Sequence, residues 1–362
     1  MEKFTLDKWI QKKISFGNPN NTGLTRAKLS EYQIEKVNET LDLVSGNSKF
    51  YERKLKGFKK QLYSLDEITM LPFTTAKELI DFGNEMLCVP HSEISRIVTL
   101  HTSGSTGPAK RVFFTEEDQE LTVDYFHHGM QNLVDGNDKV LILLPCSTPG
   151  SVGDLLKAGL SRIGCSTVPY GFPDVSDEKV LADLTDIIAA EKVSSVVGSP
   201  SEVQRIAKYT AKNIEPTQIK TVLLSTDYIS YSLSEELASL WGCRVFEHYG
   251  MTEMGLGGAV SCQTLIGYHF RENDLYVEIV NPKTGIPVQK GLYGEIVFTT
   301  LTRKGMPLIR YRTGDISRWL PGVCPCGSVL KRMDKVLSRH VKKGRQIDNN
   351  VDRSILEREL LQ

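Results

Sequence analysis

Five short apolar runs recur through the middle of the chain, and helical patterns separate several of them. The runs are KVLILLP, CSTVPYG, VSSVVGSP, KTVLLST and RVFEHYG, which begin at positions 139, 165, 193, 220 and 244. Patterns such as DEKVLADLTDIIAAEK and SEELASLWG predict helices between them. Strands that alternate with helices predict an α/β fold, because parallel strands need long crossovers that cover both faces of the sheet. Ligands of such sheets bind at the carboxyl ends of the strands.

The flanking parts of the chain follow other patterns. Residues 1–95 are charged and mostly helical in pattern, as in LTRAKLSEYQIEKVNETLDLV, and they predict a helical entry segment of the large domain. Residues 96–270 would form the α/β core. In residues 271–337, DLYVEIVNPKTGIPV and GLYGEIVFTTL predict antiparallel strands joined by Gly and Pro turns. Residues 271–337 are therefore predicted to form a smaller antiparallel β lobe.

Composition and charge limit the class of partner. The chain has 362 residues, 40% of them hydrophobic, and 44 basic residues balance 44 acidic ones. This balance gives no overall field that would favour nucleic acid or an anionic membrane. The amino-terminal sequence MEKFTLDKWIQKK lacks the apolar core of a signal peptide, and no apolar stretch approaches the length of a membrane span. We therefore expect a cytoplasmic protein, and a homodimer is left open.

Seven cysteines are scattered through the chain. Their odd number and wide spacing fit reduced thiols or a metal site better than a disulfide framework.

The stretch LHTSGSTGPAK, residues 100–110, places hydroxyl groups and glycines on one turn. Glycine tolerates positive φ, so consecutive N–H groups can face an anion, and the hydroxyl groups add donors. A phosphate cradle and an ordinary polar loop are the two interpretations. Lys110 follows Ala109 rather than a glycine, and the stretch lacks the first glycine of the dinucleotide fingerprint, so neither standard nucleotide motif is present. The candidate cradle residues are Thr102, Ser103, Gly104, Ser105, Thr106 and Gly107.

Two further motifs decide between these interpretations. EHYGMTEMG, residues 247–255, follows a predicted buried strand, and RYRTGD, residues 310–315, closes the β lobe. Together with TSGSTG, in this order and at these separations, they resemble the adenylate-forming (AMP-binding) enzymes, which include acyl-CoA synthetases, peptide-synthetase adenylation domains and luciferases. GEIVFTTLTRKGMPLIRYRTGD followed by CPCG is similar to the phenylacetate-CoA ligase branch. The resemblance covers about residues 7–350.

The resemblance implies ATP-dependent activation of a small carboxylic acid, aryl or otherwise, with release of pyrophosphate. Two anions are joined, so the site must neutralise phosphate charge and hold the carboxylate in line with the α-phosphorus. The cradle would hold the β and γ phosphates. Lys110 would add positive charge there, or else be solvated. By the resemblance, Thr252 and Glu253 meet the α-phosphate and magnesium.

The same resemblance assigns the nucleoside contacts. Tyr249, followed by Gly250, would flank the adenine. Asp315 matches the ribose-binding aspartate, and a carboxylate can accept hydrogen bonds from both ribose hydroxyls; otherwise it is a turn residue. Ser225, Thr226 and Asp227 occupy the place of the remaining adenine contact, although the Gly-rich triplet of the family is absent.

The acid pocket is less well defined by the sequence. Its predicted walls are LLPCSTPGSVG, VVGSPSEV and DYFHHGM, and glycines such as Gly198 and Gly257 suit a planar acid that lies against the backbone. His127 and His128 are candidates for a catalytic role, but a histidine on a helix is more often packed or solvated.

Residues 338–362 depart from the family pattern. The family continues to a hinge that reads Gly-Arg-x-Asp-Asp and then to a mobile carboxyl-terminal domain. Here Arg339 can stand for the hinge arginine that reaches the ribose, whereas Ser338 replaces the glycine and Val341 and Lys342 replace the aspartates. We interpret the segment as a hinge remnant with most of the mobile domain missing, which places coenzyme A in doubt as the acceptor.

Three alternatives to a complete CoA ligase follow. The acyl group is handed to a carrier protein or another acceptor, the chain is a degenerate binder of nucleotide and acid without catalysis, or the carboxyl-terminal domain is supplied by another chain.

SCQTLIGYH and CPCG supply one further predicted site. Cys262, His269, Cys324 and Cys326 form a Cys₃His set of the kind that tetrahedral Zn²⁺ accepts. Members of the phenylacetate-CoA ligase family look similar at all four positions. Four protein ligands leave no open position for water, so the predicted zinc is structural. In the alternative interpretation the cysteines pack as ordinary buried thiols.

Overall fold

The computed structural model describes residues 4–15, 23–100, 109–213 and 218–337. The candidate cradle, residues 102–107, and Arg339 therefore lie outside the described residues. The chain divides into two compact units. The first unit takes in residues 122–251 and 256–269 with the amino-terminal residues up to 6, and the second takes in residues 7–121, 252–255 and those from 270 onward.

Nine α-helices are present within the described residues. They are α1 (Thr5–Ile14), α2 (Arg26–Asn47), α3 (Lys49–Lys54), α4 (Ala76–Phe82), α5 (Glu116–Met130), α6 (Val152–Ile163), α7 (Glu178–Ala190), α8 (Pro200–Asn213) and α9 (Tyr231–Trp241). Side-chain caps fix several starts. The Thr75 hydroxyl and the Glu78 carboxylate form a reciprocal capping box on α4. Helix α6 ends where Gly164 adopts a φ of 92°, a left-handed conformation that favours glycine.

The strands of the described residues are short. They are β1 (Arg96–Leu100), β2 (Lys110–Phe114), β3 (Lys139–Ile142), β4 (Ser166–Pro169), β5 (Ser195–Gly198), β6 (Thr221–Leu224), β7 (Arg244–Tyr249), β8 (Ala259–Val260), β9 (Tyr268–Phe270), β10 (Leu275–Val280), β11 (Gly294–Thr300), β12 (Tyr311–Ser317) and β13 (Arg332–Met333).

The first unit is built on a sheet in which parallel pairing predominates. Its strands lie in the order β9, β8, β7, β6, β5, β3, β4. Strands β3 to β7 pair in parallel, and β8 runs antiparallel to β7. Strands β5 and β6 are buried along their whole length, and apolar residues of α7, α8 and α9 pack on the sheet in one hydrophobic core. This burial on both faces explains why these strands read as continuous apolar runs.

The second unit contains two antiparallel sheets. Strands β10, β11 and β12 form a three-stranded sheet with an irregularity between Glu295 and Val297, and β1 pairs with β2. The predicted fold class, an α/β core with a smaller antiparallel β lobe, is confirmed. No helix within the described ranges is both long enough and apolar enough to cross a lipid bilayer.

A buried ion pair holds the start of the RYRTGD motif in the second unit. The Arg310 guanidinium donates to both carboxylate oxygens of Glu278 at 3.0 and 2.9 Å. Its remaining amino group donates to the backbone oxygens of Thr69 and Leu71, each at 2.8 Å. Both side chains are almost fully buried, so water does not solvate their charges and each charge is compensated by the other.

Candidate active site

Glu253 lies on a 3₁₀ turn, Thr252–Met254, that follows β7. Its side chain is 1% exposed. The Lys110 ammonium and the Tyr311 hydroxyl both donate to its carboxylate oxygen Oε1, the latter at 3.0 Å. The backbone oxygen of Glu253 accepts a hydrogen bond from Arg303 at 2.7 Å. The carboxylate is therefore charge-compensated and held in one orientation.

Lys110 is the first residue of β2, three residues after the candidate cradle. Leu100 and Lys110 face each other in the β1–β2 register, so the two ends of that segment are adjacent in the sheet. The Lys110 side chain is 13% exposed. Its ammonium group is engaged by the Glu253 carboxylate.

The RYRTGD motif forms β12, on which side chains alternate between two environments. Tyr311, Thr313 and Asp315 are buried, whereas Arg312 and Gly314 between them are half-buried. The amide of Asp315 donates to the Thr313 hydroxyl at 3.0 Å. Asp315 is therefore buried within the strand that also carries the tyrosine that contacts Glu253.

Gly314 has a structural reason to be glycine. Its φ is 76°, which a side chain with Cβ would disfavour. Its amide donates to Glu295 at 3.0 Å, and Arg312 pairs with the same carboxylate.

Two buried arginines support the turn that carries Glu253. Arg271 donates to the backbone oxygens of Met254 and Leu121, the latter at 3.3 Å. The guanidinium of Arg303 lies 5.0 Å from the Phe114 ring centroid. The pKa of Arg303 is lowered to about 10, chiefly by burial and also by the neighbouring Arg271, while Asp118 and Glu253 act in the opposite direction. Arg303 stays protonated at neutral pH and adds positive charge beneath the turn.

In the first unit, the carboxyl ends of β6 and β7 carry the remaining candidates. Ser225 follows β6, and its hydroxyl lies 2.8 Å from Nδ1 of His248 on β7. Tyr249 ends β7 and is buried. Thr226 and Asp227 are exposed, and Thr226 has a φ of 79°, a strained conformation for a β-branched residue. Such strain is concentrated at functional sites.

Three glycines near these strand ends are fixed by close packing. A Cβ on Gly250 would lie 2.7 Å from the backbone oxygen of Leu256, so no larger residue fits there. A Cβ on Gly198 would lie 2.9 Å from Cγ2 of Val203, and one on Gly257 would lie 2.6 Å from Cδ1 of Tyr125. On the side where a Cβ would point, Gly198 and Gly257 are therefore packed against the protein's own side chains.

His127 and His128 lie on helix α5 with their rings stacked, 4.4 Å between centroids and 13° between planes. Gln131 reaches both rings. Burial, followed by Arg162, lowers the pKa of His127, and Asp124 opposes this shift.

The predicted zinc ligands are buried as two pairs, one in each unit. In the first unit, Cys262 Sγ and a ring nitrogen of His269 lie within 4.8 Å of each other. In the second unit, the Sγ atoms of Cys324 and Cys326 lie within the same distance of each other. A tight turn in which the Gly327 amide donates to the Cys324 backbone oxygen brings the latter two together. Two thiols so close and no disulfide between them fit a metal-binding turn.

Sequence reasoning missed several of these side chains. Tyr311 and His248 stand inside motifs that were recognised, but neither was singled out. For Tyr311 a signal existed, because it lies inside the RYRTGD motif beside the candidate ribose ligand Asp315. Arg303 belongs to the TLTRKG stretch, and no sequence pattern marks it as a site residue. Its contact with the backbone of Glu253 forms only when the turn Thr252–Met254 is folded.

The chain is similar to known proteins of one family. The profile of the family described as "AMP-binding enzyme" matches residues 37–301. The phenylacetate-coenzyme A ligase of Escherichia coli (strain K12) is 25% identical over 323 residues, which cover 86% of this chain and 71% of the relative. The protein of the same name from Thermus thermophilus is 27% identical over 341 residues, covering 89% and 72%.

The fold is similar to that of a solved ligase. An open conformation of 2-hydroxyisobutyryl-CoA ligase, in complex with 2-HIB-AMP and CoA, matches with a TM-score of 0.78 and 21% identity, covering 87% of this chain and 76% of that one. The family match spans well over half of the chain, and the relatives are similar along most of its length. The chain therefore belongs to the AMP-binding enzyme family, in its phenylacetate-CoA ligase-like branch, and is an AMP-forming ligase.

Proposed function

We propose that the chain activates a small carboxylic acid with ATP, forming an acyl-adenylate and releasing pyrophosphate. The observation that carries the proposal is the buried Glu253 carboxylate, which pairs with Lys110 and accepts a hydrogen bond from Tyr311. A carboxylate, an ammonium and a hydroxyl meet at one point, and the lysine that supplies the ammonium lies three residues after the candidate cradle in the sequence. This grouping suits phosphoryl chemistry, in which charge neutralisation and positioning supply most of the catalysis.

The reaction joins an oxygen of the acid to the α-phosphorus. That O–P bond forms as the bond from the α-phosphorus to the bridging oxygen breaks, and pyrophosphate leaves with the electron pair. Glu253 would hold magnesium through its carboxylate oxygens, the ligand type that Mg²⁺ prefers. Magnesium would supply charge neutralisation at the phosphates. Lys110, released from Glu253, would then pair with a phosphate oxygen.

Other residues would hold the nucleotide in place. Thr252 would contact the α-phosphate, and residues 102–107 would cradle the β and γ phosphates. Tyr249 and Gly250 would flank the adenine together with Ser225, Thr226 and Asp227. Asp315 and Arg339 would bind the ribose. The match of RYRTGD to the family motif supports the part of Asp315, because a carboxylate can accept hydrogen bonds from both ribose hydroxyls.

For the acyl acceptor we propose coenzyme A. The relatives from Escherichia coli and Thermus thermophilus are both named phenylacetate-coenzyme A ligase, which supports a thioester product and an aryl or similarly small acid. A carrier protein or other acceptor, which the sequence also suggested, is the alternative. An acceptor assay with free coenzyme A distinguishes the two.

We also propose that Cys262, His269, Cys324 and Cys326 hold one structural zinc ion. Three thiolates and an imidazole are the donor set that tetrahedral Zn²⁺ prefers. All four side chains are buried, and each pair is already close within its own unit. The ion would supply cross-linking of chain segments rather than chemistry.

The test is acid-dependent exchange of pyrophosphate into ATP across a panel of aryl and short aliphatic acids. The proposal expects magnesium-dependent exchange with at least one acid. Thermal stabilisation by ATP without any exchange would instead support a nucleotide binder without catalysis, the second candidate function.

A further inference from the structure

Helix α5 carries a cluster of metal-ligand side chains that the proposed reaction does not use. Asp124, His127 and His128 each offer one ligand atom, and these atoms all lie within 4.8 Å of one another. We propose that the cluster binds a divalent transition-metal ion, with zinc, nickel and copper as the candidates. All three residues belong to the first unit and are partly exposed, so an ion from solution can reach them.

The helix explains how the three side chains meet. Positions 124, 127 and 128 are separated by three and four residues, so Asp124 lies on the same helix face as both histidines. Nε2 of His128 lies 3.9 Å from Oδ1 of Asp124. Bonds of about 2.0–2.1 Å to a tetrahedral metal need ligand atoms about 3.3 Å apart. Small side-chain rotations therefore bring the atoms to coordination distance.

A neighbouring glutamine holds the rings in position. The Gln131 amide lies 3.2 Å from Nε2 of His127 and, through its oxygen, 3.3 Å from Nδ1 of His128. The stacked rings and this bridge limit the rotamers of both histidines, so less conformational freedom is lost when an ion binds.

The donor set decides which metals fit. Two imidazoles with one carboxylate suit zinc, copper and nickel, whereas magnesium and calcium prefer sites made of oxygen alone. Three protein ligands leave at least one position open for water, unlike the four-ligand zinc site proposed above. The two sites are therefore distinguishable by ligand type and by variant.

Arg162 provides an internal competitor. Its Nη1 lies 3.9 Å from Oδ1 of Asp124, so its positive charge competes with a metal ion for that carboxylate. Removing this charge is expected to strengthen metal binding. A merely structural role of the histidines would not produce that effect.

The experiment is isothermal calorimetry of NiCl₂ into the untagged full chain, with melting curves to check that each variant is folded. We expect one nickel equivalent in the native chain. His128→Ala and Asp124→Asn should each weaken it on the order of tenfold or more, and Arg162→Gln should tighten it. His91→Ala, which removes an exposed histidine elsewhere, should leave this equivalent unchanged.

Two results would overturn the proposal. One is the absence of a nickel equivalent in the native chain. The other is an equal loss in His91→Ala and His128→Ala, since scattered surface histidines would then account for the binding. Should His128→Ala fail to fold, Asp124→Asn and Arg162→Gln, which must shift the affinity in opposite directions, decide the question.

Discussion

The Lys110 ammonium and the Tyr311 hydroxyl donate hydrogen bonds to the same carboxylate oxygen of Glu253. Lys110 and Glu253 are 143 residues apart in the chain. Lys110 lies three residues after TSGSTG, Glu253 belongs to the second motif and Tyr311 to the third, and all three residues lie in the second unit. A pair so deeply buried has consequences for both stability and catalysis.

The first prediction concerns the stability of the pair. Lys110→Met leaves the Glu253 carboxylate buried without its counter-charge, so we expect a loss of about 3 kcal/mol in the free energy of unfolding. Glu253→Gln should cost less, because the lysine is closer to solvent. Chemical denaturation of the two single variants and the double variant measures the coupling. The double variant should be more stable than the sum of the single losses predicts, and strict additivity would show that the two side chains do not interact.

The second prediction separates Tyr311 from the ion pair. Tyr311→Phe removes one hydrogen bond to Glu253, which should lower the free energy of unfolding by about 0.5–1.5 kcal/mol. Exchange activity should fall by about tenfold, because the carboxylate loses one of the groups that orient it. Tyr63→Phe, at an exposed position, is the control. Unchanged exchange in Tyr311→Phe would remove the positioning role.

The third prediction is a pH dependence in the first unit. Burial raises the pKa of Asp138, but the Asp135 amide, the Ser194 hydroxyl and the Lys220 ammonium donate to its carboxylate and together hold the pKa below its ordinary value. A depressed carboxyl pKa stabilises the fold above the unfolded pKa of about 3.9, and the contribution is lost as the pH falls through the folded pKa.

Asp138→Asn should therefore be less stable than the native chain at pH 7, by about 1–3 kcal/mol, with a difference that shrinks as the pH falls below about 4. Denaturation at several pH values tests this. A difference that stays constant from pH 7 to pH 3 would contradict it.

The fourth prediction concerns zinc. Metal analysis of untagged protein should find close to one zinc per chain, and Cys326→Ser should lose that zinc and melt at a lower temperature. Cys243→Ser is the matched control, because Cys243 is buried but lies outside the Cys₃His set. Unchanged zinc content in Cys326→Ser, or loss of zinc in Cys243→Ser, would contradict the assignment.

Some of this architecture could be predicted because short stretches of the sequence determine it. The strands that begin at Lys139, Ser195 and Thr221 are buried on both faces, so each leaves a continuous apolar run in the sequence. The contact between Lys110 and Glu253 could not be predicted from a local sequence pattern, because the two residues are 143 positions apart in the chain. The packing of Tyr125 against Gly257 is of the same kind, because spacing alone does not reveal which side chain fills the room beside a glycine.

The candidate site was predictable in part for a different reason. The motifs mark where the chain must turn or approach a ligand closely, as at Gly250 and Gly314, and such positions restrict residue type strongly. Supporting residues such as Arg303 and Arg271 act through backbone oxygens, which any sequence provides. Their roles become visible only once the turn at residues 252–254 is folded.

The central claim is that this chain forms acyl-adenylates at the site around Glu253. Its most direct test is acid-dependent exchange of labelled pyrophosphate into ATP by the native chain and by Glu253→Gln, with Glu31→Gln, at an exposed position, as the matched control. We predict that the native chain exchanges pyrophosphate in a magnesium-dependent way with at least one small acid. The exchange rate should fall by about 100-fold or more in Glu253→Gln and should be unchanged in Glu31→Gln. Absence of exchange with every acid, or full exchange by Glu253→Gln, would contradict the account.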